Sequence, residues 1–355
     1  MMLSLKGVRA RIPLSDEEDT MGKVGVAVIG AGFIAQVAHL PAWSKLEGAE
    51  LIAVVRRSEA RAKEVAERFG AKYYFTDYLK ALKLEEVDVV DICTPTYTHR
   101  EIAVSAAEHG KHIILEKPIA LKLRDADAII SAAKRYGVKL MVAHCLRFWP
   151  EYVKVWELVK EGRVGNVRIS RAYRISSLPD WAPWFPYEKL SGGVIVDMGI
   201  HDIDYLRWLM GEVVEVFARG RRVREGIEAL DYVHVLLKFK SGSIAYVESN
   251  WAMPKGFPLT TYLEVVGDEG IVVVDNRSTA TLTVEGRGVR KSYTPLGEDA
   301  YYLEVKAFLN AVLEDREPPV PGEEARRSLE VALAALKSAK EGKPIKLPLR
   351  EEVIS

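Results

Sequence analysis

The stretch VAVIGAGFIAQVAH, residues 26–39, decides the fold. It opens as an apolar, mostly β-branched run, breaks at Gly30 and Gly32, and continues with small residues where a helix would start. Gly30, Gly32 and Ala35 form a GxGxxA turn at the end of a strand. In such a turn the first glycine permits the tight bend, the second lets backbone approach a pyrophosphate, and the small third residue lets helix and strand pack closely. The unpaired amides of the helix start would face the anion. Alone, a glycine turn also serves simply to link a strand to a helix, so its surroundings carry the weight.

From residue 23 to about 143, the apolar runs VGVAVIG, LIAVV, VDVVDIC, HIILE and LMVA alternate with segments such as SEARAKEVAERFG and LRDADAIISAAKRYG. Those segments space apolar residues by three and four and close on a glycine, which is a helical pattern. Strands that are continuously apolar and separated by helices predict a doubly wound parallel sheet of Rossmann type over 21–145, covered on both faces. FWPEYVKVWELVKEG reads as a connecting helix, after which the pattern changes near Gly165. VRISRAYRIS, YVHVLLKF, SIAYVESNW, TTYLEVVG and IVVVD then follow one another, with the turn signals KSGS and GDEG between strands. This predicts a second domain over 146–355, an open, mainly antiparallel sheet with helices on one face. Its helices are expected over 194–209, 299–313 and 323–340. Residues 1–20, ending SDEEDT, are polar and aperiodic and read as a mobile tail.

Composition agrees with two packed cores: 355 residues are 48% apolar. Fifty Lys and Arg balance 50 Asp and Glu, so no global field draws the chain toward nucleic acid or an anionic membrane. No apolar run is long enough to span a bilayer and the start lacks a secretory pattern, so a cytoplasmic location is expected. Cys93 and Cys145 each follow an apolar run and read as buried thiols of a reducing compartment. One Gln and four Asn beside 28% charged residues resemble the composition of proteins from hot environments.

The second strand, LIAVVRRS, ends on Arg56, Arg57 and Ser58, where an NAD-specific site carries an acidic residue for the ribose hydroxyl. Guanidinium and hydroxyl groups would instead hold a 2'-phosphate, so NADP is the favoured cofactor and NAD the alternative. The plainer reading is that Ser58 caps the next helix and the arginines are solvated.

TPTYTH (94–99), EKP (116–118) and GGVIVDMGIHDID (192–204) complete the pattern begun by GAGFIA (30–35). In order and spacing, from residue 23 to the C-terminus, they resemble the glucose-fructose oxidoreductase, inositol dehydrogenase and rhizopine-catabolism (Gfo/Idh/MocA) family. The resemblance implies a hydride transfer between NAD(P) and a hydroxyl carbon of a sugar, polyol or inositol-like compound. It places the family's catalytic lysine on Lys117 and its helical Asp and His on Asp197 and His201. A spacing of four would set Asp197 and His201 on one helix face. Histidine is the side chain most readily tuned to exchange a hydroxyl proton, so His201 is the expected acid/base, with Lys117 stabilising charge on the reacting oxygen and Asp197 positioning its partners. Each also has an ordinary structural reading: a surface lysine at a strand exit, a helix-start aspartate, a core histidine.

The resemblance further implies a cis Lys117–Pro118 bond, Thr94, Pro95 and His99 lining the nicotinamide side, and Glu116 lying against it. Phe33 and Ile34, inside the glycine turn, join the expected cofactor residues. AHCLRFWP (143–150) places Arg147 near the interdomain cleft as a substrate residue. No CxxC or HxxxH accompanies Asp197, His201, Asp202 and Asp204, so no metal is expected there. In SSLPDWAPWFPYEKLSGG, Trp181 and Trp184 offer faces for a sugar ring, or they anchor a long loop. ARGRRVRE reads as a solvated strand edge or subunit contact rather than a nucleic-acid site. The resemblance implies a homo-dimer or homo-tetramer through the second sheet. Its rival functions are the family's cofactor-retaining glycoside hydrolases and its non-catalytic dinucleotide-binding regulators.

Overall fold

In the computed structural model, residues 22–354 are described apart from 287 and 296; the tail expected over 1–20 lies outside them. The first sheet comprises β1 (Val24–Ile29), β2 (Ala49–Val55), β3 (Tyr73–Phe75), β4 (Val89–Ile92), β5 (His112–Glu116) and β6 (Leu140–Ala143). All pairs are parallel and the order is β3-β2-β1-β4-β5-β6, the doubly wound arrangement. β1 is buried along its whole length because both faces are covered, which is why it reads as unbroken apolar sequence.

The second sheet comprises β7 (Val167–Ser177), β8 (Val213–Arg221), β9 (Tyr232–Phe239), β10 (Ile244–Met253), β11 (Thr260–Gly267), β12 (Gly270–Asp275), β13 (Leu282–Gly286), β14 (Val289–Tyr293) and β15 (Ile345–Lys346). Their order is β14-β13-β12-β11-β7-β10-β9-β8-β15. Pairing is antiparallel except between β7 and β10, which run parallel. Burial alternates as a one-sided sheet requires: Val233, Val235, Leu237 and Phe239 of β9 are buried, whereas Leu236 is 52% exposed. Helices Ile200–Met210 and Gly322–Glu341 cover the inner face.

The chain crosses the seam again near its end. Helix Ala300–Leu313 places Val305, Phe308 and Leu309 in one core with Val26 and Val28 of β1, completing a face of the first sheet. Helix Gly322–Glu341 then packs against helix Leu123–Tyr136, where Arg326 forks onto Asp127 at 2.8 and 3.3 Å. Lys117, just past the end of β5, thereby meets Asp197 of the second lobe, and the Glu188–Ser191 helix packs on the Thr96–Thr98 turn after β4. Among the described residues, no helix is long and apolar enough to cross a membrane.

Candidate active site

The glycine turn is built from two different requirements. Gly30 has φ +90°, and a Cβ there would lie 2.7 Å from Thr94 Cγ2 and 2.8 Å from the Cys93 carbonyl. Only glycine lets the chain bend there, so that the amides of Gly30 and Ala31 both donate to Val55 O at 3.0 Å. Gly32 has no such internal need, because a Cβ there would find nothing nearer than 3.7 Å. The space beside it is open to a phosphate, and Ala35 behind it is fully buried. Phe33 is half-exposed, while Ile34 packs partly on the core. At the end of β2, Arg56 Nη1 donates to Ala31 O at 3.1 Å, which lays its guanidinium over the turn. Arg57 and Ser58 are exposed, and the Ser58 side chain makes no capping hydrogen bond to helix Glu59–Phe69. This set fits a nicotinamide dinucleotide: Gly32 and the helix start for the pyrophosphate, Arg56, Arg57 and Ser58 for the adenosine end.

Behind the turn lies a buried polar chain. His39 Nδ1 is 2.9 Å from Asp91 Oδ2 and its Nε2 is 3.0 Å from Glu116 Oε1. Trp43 Nε1 donates to the same Asp91 oxygen at 2.7 Å. Glu116 Oε2 accepts the Lys117 amide N–H at 2.9 Å, so its carboxylate is turned inward to brace the Lys117 turn. His99 is also behind the surface: its ring nitrogens lie 2.9 Å from Pro118 O and 2.9 Å from Thr94 O, tying the two loops together. Burial lowers its pKa and the two carbonyl partners oppose that shift, and the ring acts as a brace between the loops. The Thr98 hydroxyl hydrogen-bonds Thr94 Oγ1 and Pro95 O, both at 2.8 Å, and so fixes the loop that leaves β4. The Lys117–Pro118 peptide is cis.

Lys117 reaches from the first lobe to the second. Its Nζ donates to Asp197 O at 2.7 Å and lies 3.7 Å from Asp197 Oδ1. Burial raises the Asp197 carboxyl pKa, and the Lys117 charge opposes that rise. His201 is half-buried with Nδ1 3.9 Å from Cys145 Sγ. Burial, then the charges of Lys117, Arg174 and His144, hold its pKa well below 6.5, so it is a neutral imidazole at physiological pH. The helix expected over 194–209 is two helices, Gly193–Asp197 and Ile200–Met210, separated at Met198 and Gly199. A Cβ on Gly199 would meet Ser249 Oγ at 2.3 Å and Ile195 Cδ1 at 2.6 Å, so β10 presses closely on this break. Asp197 and His201 therefore stand on consecutive helices rather than one helix face. The Lys117 charge acts on both.

Residues 24–144 match the family model described as "Oxidoreductase family, NAD-binding Rossmann fold", and 152–273 match "GFO/IDH/MocA C-terminal domain". The chain belongs to the Gfo/Idh/MocA oxidoreductases. It is 34% identical to the myo-inositol 2-dehydrogenase of Thermotoga maritima over 93% of this chain and 99% of that one. To the scyllo-inositol 2-dehydrogenase (NAD(+)) of Bacillus subtilis it is 29% identical, over 92% and 97%. The crystal structure of aldose-aldose oxidoreductase from Caulobacter crescentus, complexed with glycerol, superposes with a TM-score of 0.84 at 27% identity, covering 92% of this chain and 100% of that one.

In this Gfo/Idh/MocA oxidoreductase the remaining expected residues are placed differently. Arg147, read as a substrate residue, is buried and spends its guanidinium on Asp204, with Nε and Nη2 each 2.8 Å from a carboxylate oxygen. Asp202 is likewise forked by Arg174, both bonds at 3.2 Å. A buried ion pair costs heavily to half-break, so these residues hold the Ile200–Met210 helix against its neighbours. Arg174 was not singled out in the sequence, although an arginine on the buried side of a strand is itself a signal of a buried partner. Trp184 stacks on Phe185 at 4.0 Å, and Phe185, 1% exposed, meets Trp251 edge-on at 5.8 Å. These rings anchor the loop. Trp181 faces elsewhere, onto Phe33, with ring centroids 5.3 Å apart.

Proposed function

We propose that this protein is an NADP-preferring dehydrogenase or reductase that moves a hydride between nicotinamide and a CH–OH carbon of a sugar, polyol or inositol-like ring. The observation that carries this reading is the meeting of Lys117 and Asp197 across the cleft, next to a neutral His201. Bound nicotinamide supplies the hydride acceptor or donor. In oxidation, neutral His201 takes the hydroxyl proton. Lys117 Nζ, anchored by one hydrogen bond to Asp197 O, keeps donors for the reacting oxygen as negative charge develops there. Asp197 fixes the lysine. In reduction the proton returns from His201 to the alkoxide oxygen.

Support for NADP comes from Arg56, Arg57 and the uncommitted Ser58 hydroxyl, which suit a 2'-phosphate. Support for the substrate class comes from relatives named for inositols and aldoses. The outer face of the second sheet exposes Ile169, Leu236, Ile244 and Ile271 in rows, which suits a second copy of the chain and a homo-oligomer. Two unpaired, buried cysteines suit a reducing compartment such as the cytoplasm.

The test is to purify the protein without added nucleotide, release any bound ligand for mass spectrometry, titrate the stripped protein with NAD and NADP, and screen polyols and aldoses by nicotinamide absorbance. Selective NADP binding and a polyol-dependent absorbance change are expected. Turnover without net absorbance change would replace this reading with cofactor-retaining hydrolysis. Dinucleotide binding without turnover of any sugar or polyol would replace it with a regulator.

A further inference from the structure

Phe33 and Trp181 belong to different lobes and are 51% and 47% exposed, yet their rings stack at 5.3 Å with planes 21° apart. Neither is a core residue. Phe33 directly follows Gly32 at the start of the first helix, on the side where a pyrophosphate would lie. Trp181 stands on the segment between β7 and helix Glu188–Ser191, and that helix packs against the Thr96–Thr98 turn. The segment thus runs across the carboxyl ends of β1 and β4, the edge along which a dinucleotide lies in a doubly wound sheet.

The strap is held at its ends rather than in its middle. Phe185 is buried beneath Trp251, the amides of Glu228 and Ala229 donate to Pro186 O at 3.0 and 2.9 Å, and Asp180 pairs with Lys255 at 2.7 Å. Trp181 meets Phe185 edge-on at 4.5 Å, so its indole is steadied by its own lobe and presented to Phe33. The Phe33 contact itself is a single exposed ring pair, weak enough to part without unfolding either anchor.

We propose that Phe33 and Trp181 form a clasp across the cleft that must part before a nicotinamide dinucleotide enters or leaves. This rests on the reading of the glycine turn as a dinucleotide site. It assigns Trp181 to cofactor exchange rather than to sugar stacking. The clasp slows entry and exit together, because the ring pair stands across the path and must part for either, and so changes the rates more than the equilibrium affinity.

Stopped-flow fluorescence measures NADPH association, and displacement by excess NADP measures release, in wild type, Phe33→Ala, Trp181→Ala, the double variant and the conservative Trp181→Phe. An aromatic pair of this kind corresponds to about a two- to tenfold change in rate. Both alanine variants are expected to raise the association and release rates by that factor, with Kd changed less than either rate. The double variant should match the singles, since one contact is lost in each, and Trp181→Phe should restore slow release. Unchanged rates in both alanine variants would overturn the clasp. So would additive effects in the double variant, which mean two independent contacts with the cofactor. If wild-type protein binds neither NADPH nor NADH, the cofactor reading itself falls, and the clasp with it.

Discussion

Replacing His39 with Gln removes the cation from a buried pocket of carboxylates. His39 is fully buried, with Asp91 at 2.9 Å on one ring nitrogen and Glu116 at 3.0 Å on the other. Burial alone would lower its pKa, but the Asp91 charge and hydrogen bond outweigh burial and hold it well above 6.5. Burial pushes the Glu116 carboxyl upward, and the His39 hydrogen bond and charge reverse this, leaving it below 4.5. The His39 contribution to stability is therefore complete below its unfolded value of 6.5 and fades as pH climbs through the raised folded value. The Glu116 contribution is complete above 4.5 and is lost as pH falls through the lowered folded value. Gln offers a neutral amide in place of an imidazolium, so at least one buried carboxylate loses its charge partner, a cost of about 3–5 kcal/mol. Because the wild-type contribution fades as pH climbs through the raised folded value of His39, and Gln does not titrate, the deficit against wild type narrows between about pH 7 and pH 9. Urea denaturation of both proteins at the two pH values measures this. A deficit below about 1 kcal/mol, the range of an exposed pair, would refute the reasoning. So would a deficit that does not change with pH, because His39 would then be neutral in the native protein.

Lys117→Ala and His201→Ala should each abolish oxidation, by roughly 10²–10⁴-fold for a lost proton-transfer group, while dinucleotide binding stays nearly intact; wild-type-like turnover in either sinks the assigned roles. Because burial first, and then the Lys117 charge, hold His201 well below 6.5, oxidation should stay level down to that pH and fall only below it, as the ring protonates. An acid limb centred above 6.5 in the kcat/KM profile would contradict this. Arg56→Asp combined with Arg57→Ala should move the NADP-to-NAD affinity ratio toward NAD by about one to two powers of ten, the worth of a charge-assisted hydrogen bond; an unmoved ratio means these arginines do not read the phosphate. Gly32→Ala should leave Tm unchanged and weaken dinucleotide binding, because its Cβ meets nothing nearer than 3.7 Å inside the protein. Gly30→Ala should lower Tm, and the reverse ranking of the two variants would show that the turn is built for packing alone.

The parallel sheet was legible because β1, β2, β4, β5 and β6 are almost wholly buried and so appear as largely apolar runs, interrupted by Glu50, Asp91 and the ends of β5. β3 is three half-exposed aromatic residues at a sheet edge and carries no such signal. β8 was harder to read as a strand because Arg219 and Arg221 extend it past its buried positions. The family resemblance carried by the glycine turn, EKP and the MGIHD segment implies Lys117, Asp197 and His201, and Lys117 and Asp197 do meet. The break between Asp197 and His201 was invisible, since it depends on Ser249, about fifty residues further along the chain and close only in the fold. His39 gave no sign of its role for the same reason: its partners lie 52 and 77 residues away. Arg147 shows the converse, a motif position that was legible and a buried carboxylate partner, Asp204, that was not.

The second crossing of the seam bears on how the chain is made. Val305, Phe308 and Leu309 share one core with Val26 and Val28 of β1 and with Leu40 and Trp43 of the helix that follows it, so that face, covered in part by its own neighbour, is completed only by a segment made much later. The first 145 residues, although they contain every strand of the parallel sheet, would emerge with part of one apolar surface uncovered. A nascent chain in that condition is a natural client for a chaperone, and a fragment ending there should aggregate rather than fold. In this protein the half that is synthesised first is finished last.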